Sequence, residues 1–134
     1  MGVGGVEMEA IMAGTEQRLA YPLTFLLKKE GDLWASLACE VDVASCGDTR
    51  EEAREMLKEA VALYVTDMVE SGELDKVARP VPKEGLVEFA TDPPGEMHIE
   101  YHTLLVSLSA VPPQLEFLPS MVRPADCQPA VAAA

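Results

Sequence analysis

The block Cys46-Gly47-Asp48-Thr49-Arg50-Glu51-Glu52-Ala53 runs straight into a long amphipathic segment that ends near Ser71-Gly72. Gly47 permits a backbone turn that other residues resist. Asp48 and Thr49 both carry side-chain oxygens that cap helix starts, and Glu51 and Glu52 follow each by three residues, so two overlapping capping boxes are written here. The block predicts a helix from Thr49 to about Glu70. At 100° per residue, Ala53, Met56, Leu57, Ala60, Val61, Leu63, Tyr64 and Met68 form one broad apolar stripe. Glu51, Glu52, Glu55, Lys58, Glu59 and Thr66 lie opposite, and Gly72 is a natural C-terminal stop. Pairs such as Glu51–Arg54 and Glu55–Lys58 stabilise a helix by only about 0.2–0.5 kcal/mol each. The stripe must therefore pack on something for the helix to persist.

The residues before the block supply that surface. Tyr21 to Leu27 reads as a strand, Lys29-Glu30-Gly31-Asp32 as a turn and Leu33 to Cys39 as a second strand, which makes a hairpin. Pro22 fits only near a strand start or on an edge. Val41, Val43 and Ser45 alternate with Asp42 and Ala44, the pattern of a short third strand. After the helix, Glu73 to Gly85 holds Pro80 and Pro82 and reads as extended, Leu86 to Ala90 as a short strand, and Thr91-Asp92-Pro93-Pro94-Gly95 as a loop. Met97 to Val111 is rich in β-branched and aromatic residues and reads as a strand, with a buried helix as the alternative. The expected fold is α+β, with a small antiparallel-rich sheet in the order β-β-β-α-β and one long helix on one face. Residues 1–18 are expected to be a tail, 19–111 the domain, and 112–134 a Pro/Ala-rich, irregular tail.

Composition bounds the function. Of 134 residues, 23 are acidic and 10 basic, a formal net charge of -13. A chain so acidic is poorly suited to bind phosphate backbones directly; it suits a basic partner, or the charge serves only to keep the protein in solution. No run of about 18 apolar residues is present, so no membrane span is expected. Met1 to Gly14 carries Glu7 and Glu9 rather than a basic stretch, which argues against a secretory signal. Cys39, Cys46 and Cys127 form neither a disulfide framework nor a Cys-x-x-Cys pair; free structural thiols in the cytoplasm are expected.

Gly47-Asp48-Thr49-Arg50-Glu51-Glu52-Ala53, continued by Glu59-Ala60-Val61 and Leu63-Tyr64 after a β-hairpin, resembles the HicB family of antitoxins over about residues 20–72. The resemblance implies a small sheet backed by a helix, similar to a partial ribonuclease H fold without that enzyme's catalytic carboxylates. It also implies a non-catalytic role, binding and masking a small basic toxin that cleaves messenger RNA. Many members add a C-terminal DNA-binding module. Here Pro-rich segments and a strand follow the helix, and Lys76, Arg79 and Lys83 are thinly spread, so direct nucleic-acid binding is not expected. The candidate partner surface is Glu55, Glu59 and Trp34. A sheet of few strands leaves open edges, which points to a homo-oligomer, and an orphan homo-oligomeric scaffold is the alternative.

No cofactor is implied. The weak candidates for a metal-dependent enzyme are His98 and His102, in His98-Ile99-Glu100-Tyr101-His102. On a strand these two histidines and Glu100 share a face, and two imidazoles with a carboxylate form a known ligand set. Residues i and i+4 of a strand are about 13 Å apart, too far to converge on one ion. The plain reading is a polar, solvent-facing side of the strand. Asp48, Glu51 and Glu52 are accounted for by capping and the helix dipole rather than by acid–base catalysis.

Overall fold

The computed structural model describes residues 18–120. Within them the chain is α+β, and the strands are β1 (Arg18–Glu30), β2 (Leu33–Ala38), β3 (Val43–Gly47), β4 (Met97–Ser107) and β5 (Gln114–Pro119). Two helices, α1 (Arg50–Glu70) and α2 (Lys83–Thr91), lie between β3 and β4, joined by a 3-10 turn at Leu74–Lys76. All strand pairings are antiparallel, in the order β3-β2-β1-β4-β5. β2 pairs only with Phe25–Glu30, so at Pro22 β1 has a neighbour on one side only. That is the edge-like setting a proline needs.

Several sequence expectations about the elements need correction. Glu73 to Gly85, expected to be extended throughout, holds the 3-10 turn at Leu74–Lys76 and the start of α2. Leu86 to Ala90 belongs to helix α2, not to a strand. Pro82 is its N-cap residue, and Leu86, Phe89 and Ala90 recur at helical spacing, a period that so short an apolar run conceals. Residues 114–119, expected to be irregular, form β5. There Leu115 and Phe117 alternate with Gln114 and Glu116 and pack on the core; the flanking prolines hide this period-2 signal. β1 starts at Arg18, earlier than expected. The remainder of the expected tails, residues 1–17 and 121–134, lies outside the described residues.

Side-chain alternation splits the sheet into two faces. Leu23, Phe25, Ala38, Leu104 and Val106 meet Leu57, Val61 and Val65 of α1 in the main core. Leu26, Leu37 and Cys39 face the other way and meet Val81 and Leu86, with Phe89 and Met97 packed alongside. α2 therefore covers part of the second face, whose uncovered part carries Ile99 and Leu118, 44% and 38% exposed. Lys28 sits fully buried on that face. No helix among the described residues is long and apolar enough to cross a membrane.

α1 begins as its sequence directs, with one difference. Thr49 is the N-cap, its hydroxyl accepting from the Glu52 N–H at 3.0 Å. The Glu52 carboxylate accepts from the Asp48 N–H at 2.6 Å, one residue further back than in the usual box. The helix ends in a Schellman arrangement. Gly72 at φ 75° donates to the Val69 carbonyl, and Glu73 to the Met68 carbonyl, at 3.1 and 2.8 Å. Leu63, assigned by its spacing to the apolar stripe, is instead 73% exposed. It falls on the i, i+4 row of Glu51, Glu55, Glu59 and Asp67, so α1 buries a narrower stripe, centred on Ala53, Leu57, Val61 and Val65.

Candidate functional site

α1 lies over the sheet with its polar shoulder against β4, and two spacings match there. Four residues along a helix advance about 6 Å, and two along a strand about 6.6 Å. Arg50 and Arg54 therefore meet His98 and Glu100 in step. An Arg50 guanidinium nitrogen lies 2.8 Å from His98 Nδ1. Arg54 grips Glu100 with two bonds, Nε to Oε1 at 2.7 Å and a terminal nitrogen to Oε2 at 2.6 Å. His98, Glu100 and His102 thus share one face, as expected, but that face looks at α1 rather than at solvent; Ile99 is the outward residue.

A second pattern runs from the residue before β4 along the strand. His98 Nε2 lies 2.6 Å from Glu96, and His102 Nε2 lies 3.1 Å from Glu100. Each imidazole donates to the carboxylate two residues before it, in the repeat Glu96-x-His98-x-Glu100-x-His102. Glu96 was missed at the sequence level, although this spacing writes it plainly. Arg50 and Arg54 were also missed, because Arg54 was paired with Glu51 on its own helix; the two-pronged carboxylate of Glu100 outcompetes that exposed neighbour.

The electrostatics follow from these contacts. The Arg54 hydrogen bonds, with a smaller contribution from His102, hold the Glu100 carboxyl down at about 2 despite its partial burial. Glu100 in turn raises the Arg54 guanidinium. Burial lowers the His102 pKa, and the bond to Glu100 opposes this only in part. His102 packs on Phe25 with ring centroids 4.4 Å apart, and its Nδ1 has no hydrogen-bond partner among the described residues. The bond to His98 lowers the Glu96 carboxyl.

Both Glu100 and His102 hold folded-state pKa values below their unfolded ones, so each stabilises the fold at high pH and loses that effect as protons bind. For His102 the loss begins below the ordinary 6.5, and for Glu100 it spans the ordinary 4.5 down to about 2. Screened by the solvent that reaches this partly exposed pair, the Glu100 part amounts to about 1–2 kcal/mol. Urea unfolding of Glu100→Gln against wild type is expected to show a gap of that order at neutral pH, closing below about pH 2. A gap that stays constant from pH 7 to pH 2 would show that the Arg54–Glu100 pair does not set the acid response.

These contacts leave little for a metal. Among the described residues, no group of three His, Cys, Asp or Glu side chains is placed to hold an ion. Arg50 and Arg54 stand against the two side chains, His98 and Glu100, that an ion would need.

Trp34 is half-buried on the α1 side of β2, across from Gly47 and with its ring 5.8 Å from that of His98. Trp34, Asp48, Thr49, Arg50, Glu51 and Glu96 line a shallow cleft of about 340 Å³ at the start of α1. Glu55 and Glu59 stand elsewhere, on the exposed ridge of α1, with Glu55 paired to Lys58 at 3.3 Å. The expected partner residues therefore fall into two places. Cys39 is buried, as a structural thiol is, whereas Cys46 is exposed; Cys127 lies outside the described residues.

The fold and the site define an α+β domain with an antiparallel five-stranded sheet, a capped helix on one face and an acidic outer ridge. Comparison with family models, with curated proteins and with solved structures found no match to this chain.

Proposed function

We propose that this chain is a non-catalytic binding domain of HicB-antitoxin type that captures a small basic toxin protein through the outer ridge of α1. The observation that carries the reading is the row Glu51, Glu55, Glu59, Leu63 and Asp67. Four carboxylates at i, i+4 spacing flank one leucine that is 73% exposed. A leucine held out in water among like charges contributes nothing to this fold, but it would anchor a partner whose basic groups neutralise the row. The net charge of -13 adds long-range attraction for such a partner. Both arginines of α1 turn inward to β4, and among the described residues Lys58, beside the ridge, is the cation of α1 that pairs with it, at Glu55.

The test is capture from native lysate at low and high salt, followed by mass spectrometry. A small basic chain should be held at low salt and released as salt rises. Glu55→Lys/Glu59→Lys is expected to weaken its binding at least tenfold, and Leu63→Ser comparably, with unfolding midpoints unchanged because all three residues are exposed. Capture of a basic chain with undiminished affinity by both variants would move the binding surface off α1; no basic chain at any salt would remove the antitoxin reading.

A second reading, homo-oligomerisation, is favoured by Ile99 and Leu118, an apolar pair uncovered among the described residues, and by the edges of β3 and β5, which no other described strand pairs. Light scattering decides it, since a mass of one chain at high concentration excludes it.

A further inference from the structure

The ring of His98 is held from three sides. Arg50, the first residue of α1, approaches Nδ1 at 2.8 Å, and Glu96 approaches Nε2 at 2.6 Å. Trp34 of β2 lies against the ring at 5.8 Å. A guanidinium has only donors and an ionised carboxylate only acceptors. Nδ1 must therefore accept and Nε2–H must donate, which defines a neutral imidazole in a single tautomer. A second proton can go only onto Nδ1, where it would point an N–H at the N–H of Arg50 and place two cations within 3 Å.

We propose that His98 is a proton-operated latch between β4 and the first turn of α1: neutral, it holds Arg50 beside Trp34, and protonated, it releases Arg50. The surrounding charges are Arg50 from α1, Glu96 immediately before β4, Asp48 and Glu51 in the same cleft, and Lys29 of β1, which acts on Glu96. A second proton and Arg50 compete for one atom, Nδ1. Once released, Arg50 has the Asp48 and Glu51 carboxylates of the cleft within its surroundings, which gives the open state its own partners. The latch needs no bound protein and stands apart from the antitoxin reading.

Trp34 is the only tryptophan, so its emission reports the latch directly. An imidazolium quenches a neighbouring indole more strongly than a neutral imidazole does. The experiment follows Trp34 fluorescence and imidazole nitrogen NMR of the full chain from pH 8.5 to 4.5. At pH 8 the His98 signals should be those of the Nε2–H tautomer. Acidification across this range should then give a one-proton loss of emission. Arg50→Met, which removes the competing cation, should move that transition to higher pH by roughly half a unit or more; Arg50→Lys should restore it in part. His98→Gln should abolish the transition, and His102→Gln should leave it in place. An Nδ1–H tautomer at pH 8, or an unmoved transition in Arg50→Met, overturns the proposal. So does a transition that persists in His98→Gln. Should His98→Gln fail to fold, the wild-type tautomer and the Arg50→Met shift still decide.

Discussion

Lys28→Met is expected to lower the unfolding free energy by about 3 kcal/mol, and Lys28→Ala by more. Lys28 is fully buried, with its ammonium bonded to the Phe89 carbonyl and, at 2.7 Å, to the Pro93 carbonyl. Glu30 balances its charge at 3.2 Å, and the Phe89 ring lies 5.2 Å from the nitrogen. Phe89 is in the last turn of α2, a helix with no basic residue of its own there. The final carbonyls of a helix lack internal partners and carry partial negative charge. Lys28 reaches from β1 to satisfy one of them and the loop carbonyl beyond it, and so ties α2 to the sheet. Methionine keeps most of the stem's volume but leaves both carbonyls and Glu30 unpaired; alanine adds a cavity. A loss of this size is a large part of the about 5–15 kcal/mol that stabilises a typical domain. Amide exchange in Lys83–Thr91 should accelerate first. If Lys28→Met unfolds within about 0.5 kcal/mol of wild type, the tether carries none of the stability assigned to it.

Gly47→Ala is expected to be nearly as damaging, at about 3 kcal/mol. The position of this glycine just before the helix suggests a turn. Gly47 is instead the last residue of β3, and no positive φ is recorded for it. Its role is close approach. A Cβ there would stand 2.5 Å from the Ala53 nitrogen and 2.8 Å from the Glu52 carbonyl carbon, both backbone atoms that cannot swing aside. Either α1 lifts from β3 or its capped first turn distorts. Gly31→Ala is the informative companion, because Gly31 has open space but a φ of 65°. Its cost should come from backbone strain alone, about 1–2 kcal/mol. Urea unfolding of the two variants separates the causes, and a Gly47→Ala loss no larger than that of Gly31→Ala would refute the close-approach account.

Much of the first half was legible because its signals are local. The hairpin around Gly31 and the Thr49–Glu52 cap are set by neighbours within a few residues. So is the Gly72 stop, and each appears where the sequence places it. Misreadings arose where a local pattern was short or was answered by a distant group. Leu86–Ala90 is too brief for its period to separate helix from strand. β5 is a strand because Leu115 and Phe117 find Val106 and Leu104 beside them, which no local rule supplies. Arg54 chose Glu100, 46 residues away, over Glu51 on its own helix.

By itself the sequence determined the α+β class, the boundaries of the capped helix, the hairpin and the shared face of His98, Glu100 and His102, because each depends on periodicity and on bonds between near neighbours. Only the tertiary structure decided which way that face looks, that Arg50 and Arg54 close on it, that Lys28 is buried against α2 and that Leu63 stands in solvent. Those outcomes depend on which surfaces the folded chain brings within a few ångströms of each other. Charge pairing and desolvation act at that range, and they have no signature in the spacing of residues along one segment.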